Sequence, residues 1–139
     1  MKTDQASINI KATPEKIWSI ITDGPNYPAW DKSADRIEGR IEAGGKVTAH
    51  TKLSPRAFTV KVTTFEPGRK MIWTGGMPLG LFTGVRTFTL APKGDGTVDF
   101  TIREDFSGPL LGMMQGSLPD MTQVFKDFVQ GLKERAEKT

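Results

Sequence analysis

The chain is 139 residues long, 37% hydrophobic and 25% charged, the make-up of one ordinary globular domain that buries a core unaided. It has no cysteine, which excludes disulfides, thiolate metal sites and cysteine nucleophiles. Its net charge of +3 comes from basic residues interspersed with acids, as in Lys133–Glu134–Arg135, and no basic stripe interleaved with aromatics speaks for a nucleic-acid partner.

Met1, Lys2, Thr3, Asp4 and Gln5 lack the apolar segment of a secretory signal. No apolar run approaches the ~20 residues that cross a bilayer. A cytoplasmic protein without stable membrane association is therefore expected. Residues 6–10 alternate and predict a first strand. Thr13, Pro14 and Glu15 then supply an N-cap, a proline for the first helical position and an acid for the first turn. Ile17, Trp18, Ile20 and Ile21 give that helix its apolar face, and Asp23–Gly24–Pro25 ends it. Residues 26–31 predict a further helical turn that packs Trp30 inward, with Tyr27 at the surface.

Strands follow. Residues 36–42 and 46–53 flank Ala43–Gly44–Gly45 as a hairpin, with Ile37, Gly39, Ile41, Val47, Ala49, Thr51 and Leu53 inward. On this register His50, the one histidine of the chain, faces solvent, which argues against a serine-histidine mechanism and against a metal site. Residues 58–62 continue the sheet, and 71–74 follow the turn Glu66–Pro67–Gly68–Arg69. Two further strands, over 82–90 and 98–106, are joined by the turn formers Ala91–Pro92–Lys93–Gly94–Asp95–Gly96. Seven strands with short connections predict an antiparallel meander. After the apolar loop Leu110, Leu111, Gly112, Met113, Met114 comes a helix from about Leu118 to Ala136. Its apolar stripe is Leu118, Met121, Phe125, Phe128, Leu132 and Ala136. Gly131 in that helix costs ~1 kcal/mol against alanine and is read as permitting close approach to the sheet. The whole, residues 1–139, is one α+β domain.

Closing the last hairpin about residues 94–96 pairs Leu90 with Phe100, Phe88 with Ile102 and Arg86 with Glu104. One base and one acid thus become cross-strand partners on an otherwise apolar face. Charges turned inward are costly unless paired or wet, and a lined cavity has a use for them where a core has none. A structural ion pair near the sheet end is the competing reading. The loop at 110–114 reads either as a portal or as a segment docked on the core.

Several segments resemble the helix-grip superfamily shared by START lipid-binding domains and the birch-pollen allergens, in particular its bacterial polyketide cyclase/dehydrase-like (SRPBCC) branch. They are residues 12–18 (ATPEKIW), 28–30 (PAW), 65–69 (FEPGR), 71–73 (MIW), 80–84 (GLFTG), 94–97 (GDGT) and 104–108 (EDFSG). The resemblance implies a curved seven-stranded antiparallel sheet wrapped around a long C-terminal helix, two short helices between the first and second strands, and a cavity between sheet and helix. Where similar sequences often carry a histidine, two residues after Gly84, this chain has Arg86. An arginine binds an anion or polarises a carbonyl but cannot serve as a general base.

The expected ligand-binding residues are Trp30, Phe58, Trp73, Met77, Phe82, Arg86, Phe88, Phe100, Glu104, Phe106, Met121, Phe125 and Phe128. The expected partner is a small hydrophobic molecule held by a monomer or homodimer, with no cofactor and no metal. Three functions fit: a carrier or sensor of an aromatic or polyketide-like compound; a cyclase or dehydratase in which Arg86 stabilises enolate charge and Glu104 transfers the proton; or a protein-interaction module without a ligand.

Overall fold

The computed structural model describes residues 2–52, 57–76, 78–114 and 121–138. Strand β1 (Lys2–Ile10) is followed by helix α1 (Pro14–Ile21) and a 3-10 helix, Gly24–Ala29. Strands β2 (Ala34–Gly39), β3 (Lys46–Thr51), β4 (Phe58–Glu66), β5 (Lys70–Gly76), β6 (Thr83–Pro92) and β7 (Val98–Ser107) come next. A single turn, α2 (Leu111–Met114), precedes the closing helix α3 (Thr122–Glu137). The strands form one curved antiparallel sheet in the order β1-β7-β6-β5-β4-β3-β2, so only β1 is out of sequence. Helix α3 lies against β1, β7 and α1.

Local chemistry accounts for the elements. Thr13 caps α1, its side chain accepting from Lys16 N at 3.1 Å, with Pro14 at the first position. Along β1 burial alternates residue by residue as far back as Lys2, four residues before the predicted start. Strand β2 stops at Gly39, whose φ of 92° and whose approach to the Lys46 carbonyl leave no room for a side chain. It therefore ends before Ile41, which is buried all the same. Of the predicted inward set Ile37 and Val47 are buried as well, whereas Gly39 is exposed and Ala49 and Thr51 are half-buried. His50 lies on the outer face, bonded to Glu38 and 3.3 Å from Arg36 Nη2.

Three expectations change. Tyr27 is buried rather than superficial, because the 3-10 helix turns its ring inward and its hydroxyl donates to the Ile21 carbonyl at 2.6 Å. Gly131 meets the 3-10 helix rather than the sheet: a methyl group there would lie 2.0 Å from the Trp30 carbonyl oxygen. The segment at 110–114 is partly helical, with Leu111 buried and Met113 exposed. Leu53, Met77 and Leu118 lie outside the described residues.

The hairpin register is as predicted. Leu90 faces Phe100, Phe88 faces Ile102 and Arg86 faces Glu104. The main core joins the concave face of the sheet to Phe125, Phe128, Val129, Leu132 and Ala136 of α3 and to the apolar faces of α1 and the 3-10 helix. A second, separate cluster holds Phe82, Phe106 and Leu111.

Candidate functional site

The concave face is laid out in rows, because antiparallel register places directly paired residues on one side of the sheet. The deep row runs Ala6, Ile102, Phe88, Met71 across β1, β7, β6 and β5. Two residues along each strand lies Asp4, Glu104, Arg86, Trp73, and a further two along lies Lys2, Phe106, Gly84, Gly75. The middle row carries Asp4, Glu104 and Arg86, with Lys2 in the row beyond. It separates the main core from the cluster of Phe82, Phe106 and Leu111.

Arg86 and Glu104 form a tight pair at that boundary. Glu104 Oε2 accepts from Arg86 Nε at 2.8 Å and from Nη2 at 2.6 Å. Their side chains are 26% and 13% exposed, so the pair is neither a surface bridge nor fully desolvated. The guanidinium also lies over the Phe125 ring, 5.2 Å from its centroid. Among the described residues nothing bonds the second oxygen, Oε1, which faces Gly84. Among the described residues Glu104 alone engages the guanidinium, through two of its five N–H donors, so the others can meet a further acceptor.

A second pair closes the row. Lys2 Nζ meets Asp4 Oδ2 at 2.6 Å, and the same oxygen accepts from Met121 N at 3.3 Å, tying β1 to the residue that caps α3. Lys2 also lies 5.8 Å from the Phe106 ring centroid. On the other side stands Asp31, buried beside the 3-10 helix, its Oδ1 accepting from Ser33 N at 3.0 Å and Ser33 Oγ at 2.9 Å. Burial pushes the Asp31 carboxyl up, against the opposing pull of the Ser33 hydrogen bonds and of Arg86. Burial likewise pushes the Tyr27 phenol well above its usual range, with Asp31 adding to the effect and Arg86 opposing it.

The expected wall residues divide into groups. Trp30, Trp73, Phe88, Phe100, Phe125, Phe128 and Met121 belong to the main core. Their rings pack on one another: Trp73 on Phe88 at 4.8 Å, Trp30 on Phe128 at 4.9 Å, and Phe88 and Phe100 each 6.1 Å from Phe128. Phe82 stacks on Phe106 at 5.6 Å in the outer cluster. Phe58 belongs to neither. It is 47% exposed at the start of β4, with Ala49 opposite it, whereas α3 lies against β1, β7 and α1. Two open hollows lie away from the pair, one of about 430 Å³ between the 3-10 helix and α3, the other of about 360 Å³ along β3, β4 and β5. Neither is lined by Arg86 or Glu104, and the candidate site is defined instead by the strand register and the ion-pair geometry.

Asp31, Lys2 and Asp4 are functional candidates that the sequence pattern did not single out. Lys2 and Asp4 continue the alternation of Ala6, Ile8 and Ile10 two steps back, a signal that the chain does carry. Asp31 has only the short-range Asp-x-Ser pattern of a turn to mark it. Among the described residues no three histidine or carboxylate side chains converge as metal ligands would.

The sequence profile described as "Polyketide cyclase / dehydrase and lipid transport" matches residues 1–137. No curated protein matches the chain in sequence. Solved structures match it in fold. A hypothetical protein of Helicobacter pylori superposes with a TM-score of 0.80 at 13% identity, over 98% of this chain and 88% of its own. The ZhuI aromatase/cyclase of Streptomyces sp. R1128 gives 0.75 at 11%, over 98% and 93%. A START superfamily protein of Mycobacterium smegmatis gives 0.71 at 14%, over 97% of each chain.

Proposed function

The chain belongs to the polyketide cyclase/dehydrase and lipid-transport family, and we propose that it binds a small hydrophobic molecule, aromatic or polyketide-like, between sheet and α3, as a carrier or sensor. One observation carries this reading: the apolar lining of the concave face is split in two by a half-buried ion pair. A protein that needed only a core would run its hydrophobic rows together, since an inward charge pair seldom stabilises more than the apolar residues it displaces. A ligand with an apolar body and one oxygen fits both parts. Its body lies against Phe82, Phe106 and Phe125, and its oxygen meets the donors left on Arg86.

A second reading is enzymatic, cyclisation or dehydration of a polyketide-type substrate. It is favoured by Glu104 Oε1, which no described residue engages, placed beside a guanidinium with further donors. Arg86 would stabilise an enolate while Glu104 moves the proton, and orientation within the site would supply much of the rate. The structural relative named an aromatase/cyclase adds support by likeness of fold.

Native mass spectrometry of the freshly purified protein, followed by titration with 2-acetylnaphthalene, tests the container. The expected result is one-to-one binding, weakened about tenfold by Arg86→Met, the loss of one charge-assisted hydrogen bond. Binding unaffected by Arg86→Met would remove the pair from the site. Glu104→Gln separates the two readings, because it ends turnover while sparing binding only in an enzyme.

A further inference from the structure

Two donors inside the molecule stand without acceptors. Trp73 is 3% exposed and Trp30 7%, and among the described residues neither indole Nε1–H has a hydrogen-bond partner. Buried indoles ordinarily find one, and a phenylalanine would fill either position without leaving a donor unpaired. Trp73 sits directly opposite Arg86 in the β5–β6 ladder and so shares its face of the sheet. The Tyr27 ring touches both indoles, at 4.7 Å from Trp30 and 6.4 Å from Trp73.

No described acceptor meets either indole N–H, although Glu104 Oε1 is open. Glu104 Oε2 holds Arg86, Asp31 Oδ1 holds Ser33, and the Tyr27 hydroxyl is committed to the Ile21 carbonyl. Among the described residues donors are therefore in surplus: two indole N–H groups and the N–H groups of Arg86 that Glu104 does not engage. Charge is not. Glu104 balances Arg86, Lys2 balances Asp4, and Asp31 adds a carboxylate that burial already disfavours. An incoming carboxylate would be a further anion in a place that resists anions, with its natural counterion already matched. An uncharged oxygen uses the same donors without that cost.

We infer that the Nε1–H groups of Trp73 and Trp30 are ligand-binding donors that select a neutral carbonyl compound over a carboxylate of the same shape. The inference rests on the container reading above and refines it. Arg86 and the indoles act together, the guanidinium polarising the carbonyl oxygen while the indole N–H groups orient it. The expected preference follows from pairing rather than from area, because the hydrocarbon, ketone and acid of one skeleton bury nearly the same surface.

Isothermal titration of the full chain with 2-ethylnaphthalene, 2-acetylnaphthalene and 2-naphthoate at pH 7 tests this. The ketone should bind tightest of the three. Trp73→Phe should weaken the ketone about tenfold and the hydrocarbon less than twofold, as loss of a hydrogen bond does. Replacing Trp73 by benzothienylalanine, which keeps the ring shape and lacks the N–H, should reproduce that selective loss and guards against a packing defect in the phenylalanine variant. Trp30→Phe should act in the same direction. Tighter binding of naphthoate than of the ketone overturns the inference and leaves the container reading standing. So does an equal loss of ketone and hydrocarbon in the benzothienyl variant. If none of the three probes binds, the container reading falls and this inference with it.

Discussion

The deep end of the concave face and its mouth are built on the same strands, two residues apart, yet they are organised differently. In the deep row Ile102, Phe88 and Met71 are completely buried, and Phe128 touches rings from the sheet and from the 3-10 helix. In the next row the same strands present Glu104, Arg86 and Trp73, a half-buried ion pair beside a donor that no described residue meets. Beyond it Phe82 and Phe106 chiefly have each other and Leu111. The difference teaches where this fold concentrates its hydrophobic contacts. The large cluster of buried rings lies under α3, and the mouth holds a small separate cluster beside the charges. A ligand site needs such a division, because groups reserved for a ligand cannot also be satisfied by the fold.

Truncating one ring at each end should separate the two regions most strongly. Phe128→Ala should cost about 3–5 kcal/mol, the usual range for a buried phenylalanine. Phe82→Ala should cost less than half as much, since its cluster is small. Urea unfolding measures both, and equal losses would mean that the mouth is core like the rest.

Next in size is Gly131→Ala. In an ordinary helix this exchange stabilises by ~1 kcal/mol. Here the new methyl group meets a backbone carbonyl that cannot swing aside, so the sign should reverse to a loss of about 1–3 kcal/mol. A more stable variant would show that the 3-10 helix gives way and that the deep end is less rigid than its packing implies.

The ion pair itself calls for a double-mutant cycle. Arg86→Met leaves Glu104 unpartnered and should cost about 1–2 kcal/mol, as should Glu104→Leu. The double variant should return close to the wild type in stability while losing selectivity for oxygen-bearing ligands. Two additive single losses would mean that the partners act independently, against their geometry.

The smallest effect is expected at Asp31. Burial raises its carboxyl above the unfolded-chain value, so the folded state holds that proton more tightly than the unfolded state does. Its contribution is therefore fully present at acid pH and is lost as pH rises through the raised value. Asp31→Asn keeps an oxygen for Ser33, and should be more stable than the wild type at pH 7. The difference should vanish as pH falls through the carboxylate range. A gain that persists unchanged into acid would assign it to something other than charge.

Much of the architecture is legible in the chain because it rests on local signals. Alternation over residues 82–90 and 98–106, with glycines between them, specifies the hairpin by pattern alone, and the Arg86–Glu104 pairing follows from it. Thr13–Pro14 specifies the start of α1 by the chemistry of the cap. The family resemblance supplies the helix under the sheet. Tyr27 defeats the pattern because a 3-10 helix has no amphipathic rhythm long enough to assign its faces. Phe58 defeats it because alternation tells which side of a sheet a residue occupies and says nothing of whether a helix covers that point.

What the sequence determined by itself is the set of short-range choices: strand, turn, cap, and which residues share a face. Each depends on neighbours within a few positions, where steric and hydrogen-bond preferences act directly. The tertiary structure decided what no local rule contains. It decided that α3 lies against β1, β7 and α1 while Phe58 stays exposed, and that Asp4 joins the row of Arg86 with Lys2 in the row beyond. It also buried Asp31 and enclosed two tryptophan N–H groups that no described residue meets. Those outcomes depend on contacts between residues far apart in the chain, and burial, which sets the energy of every charge and donor here, is a property of the whole fold.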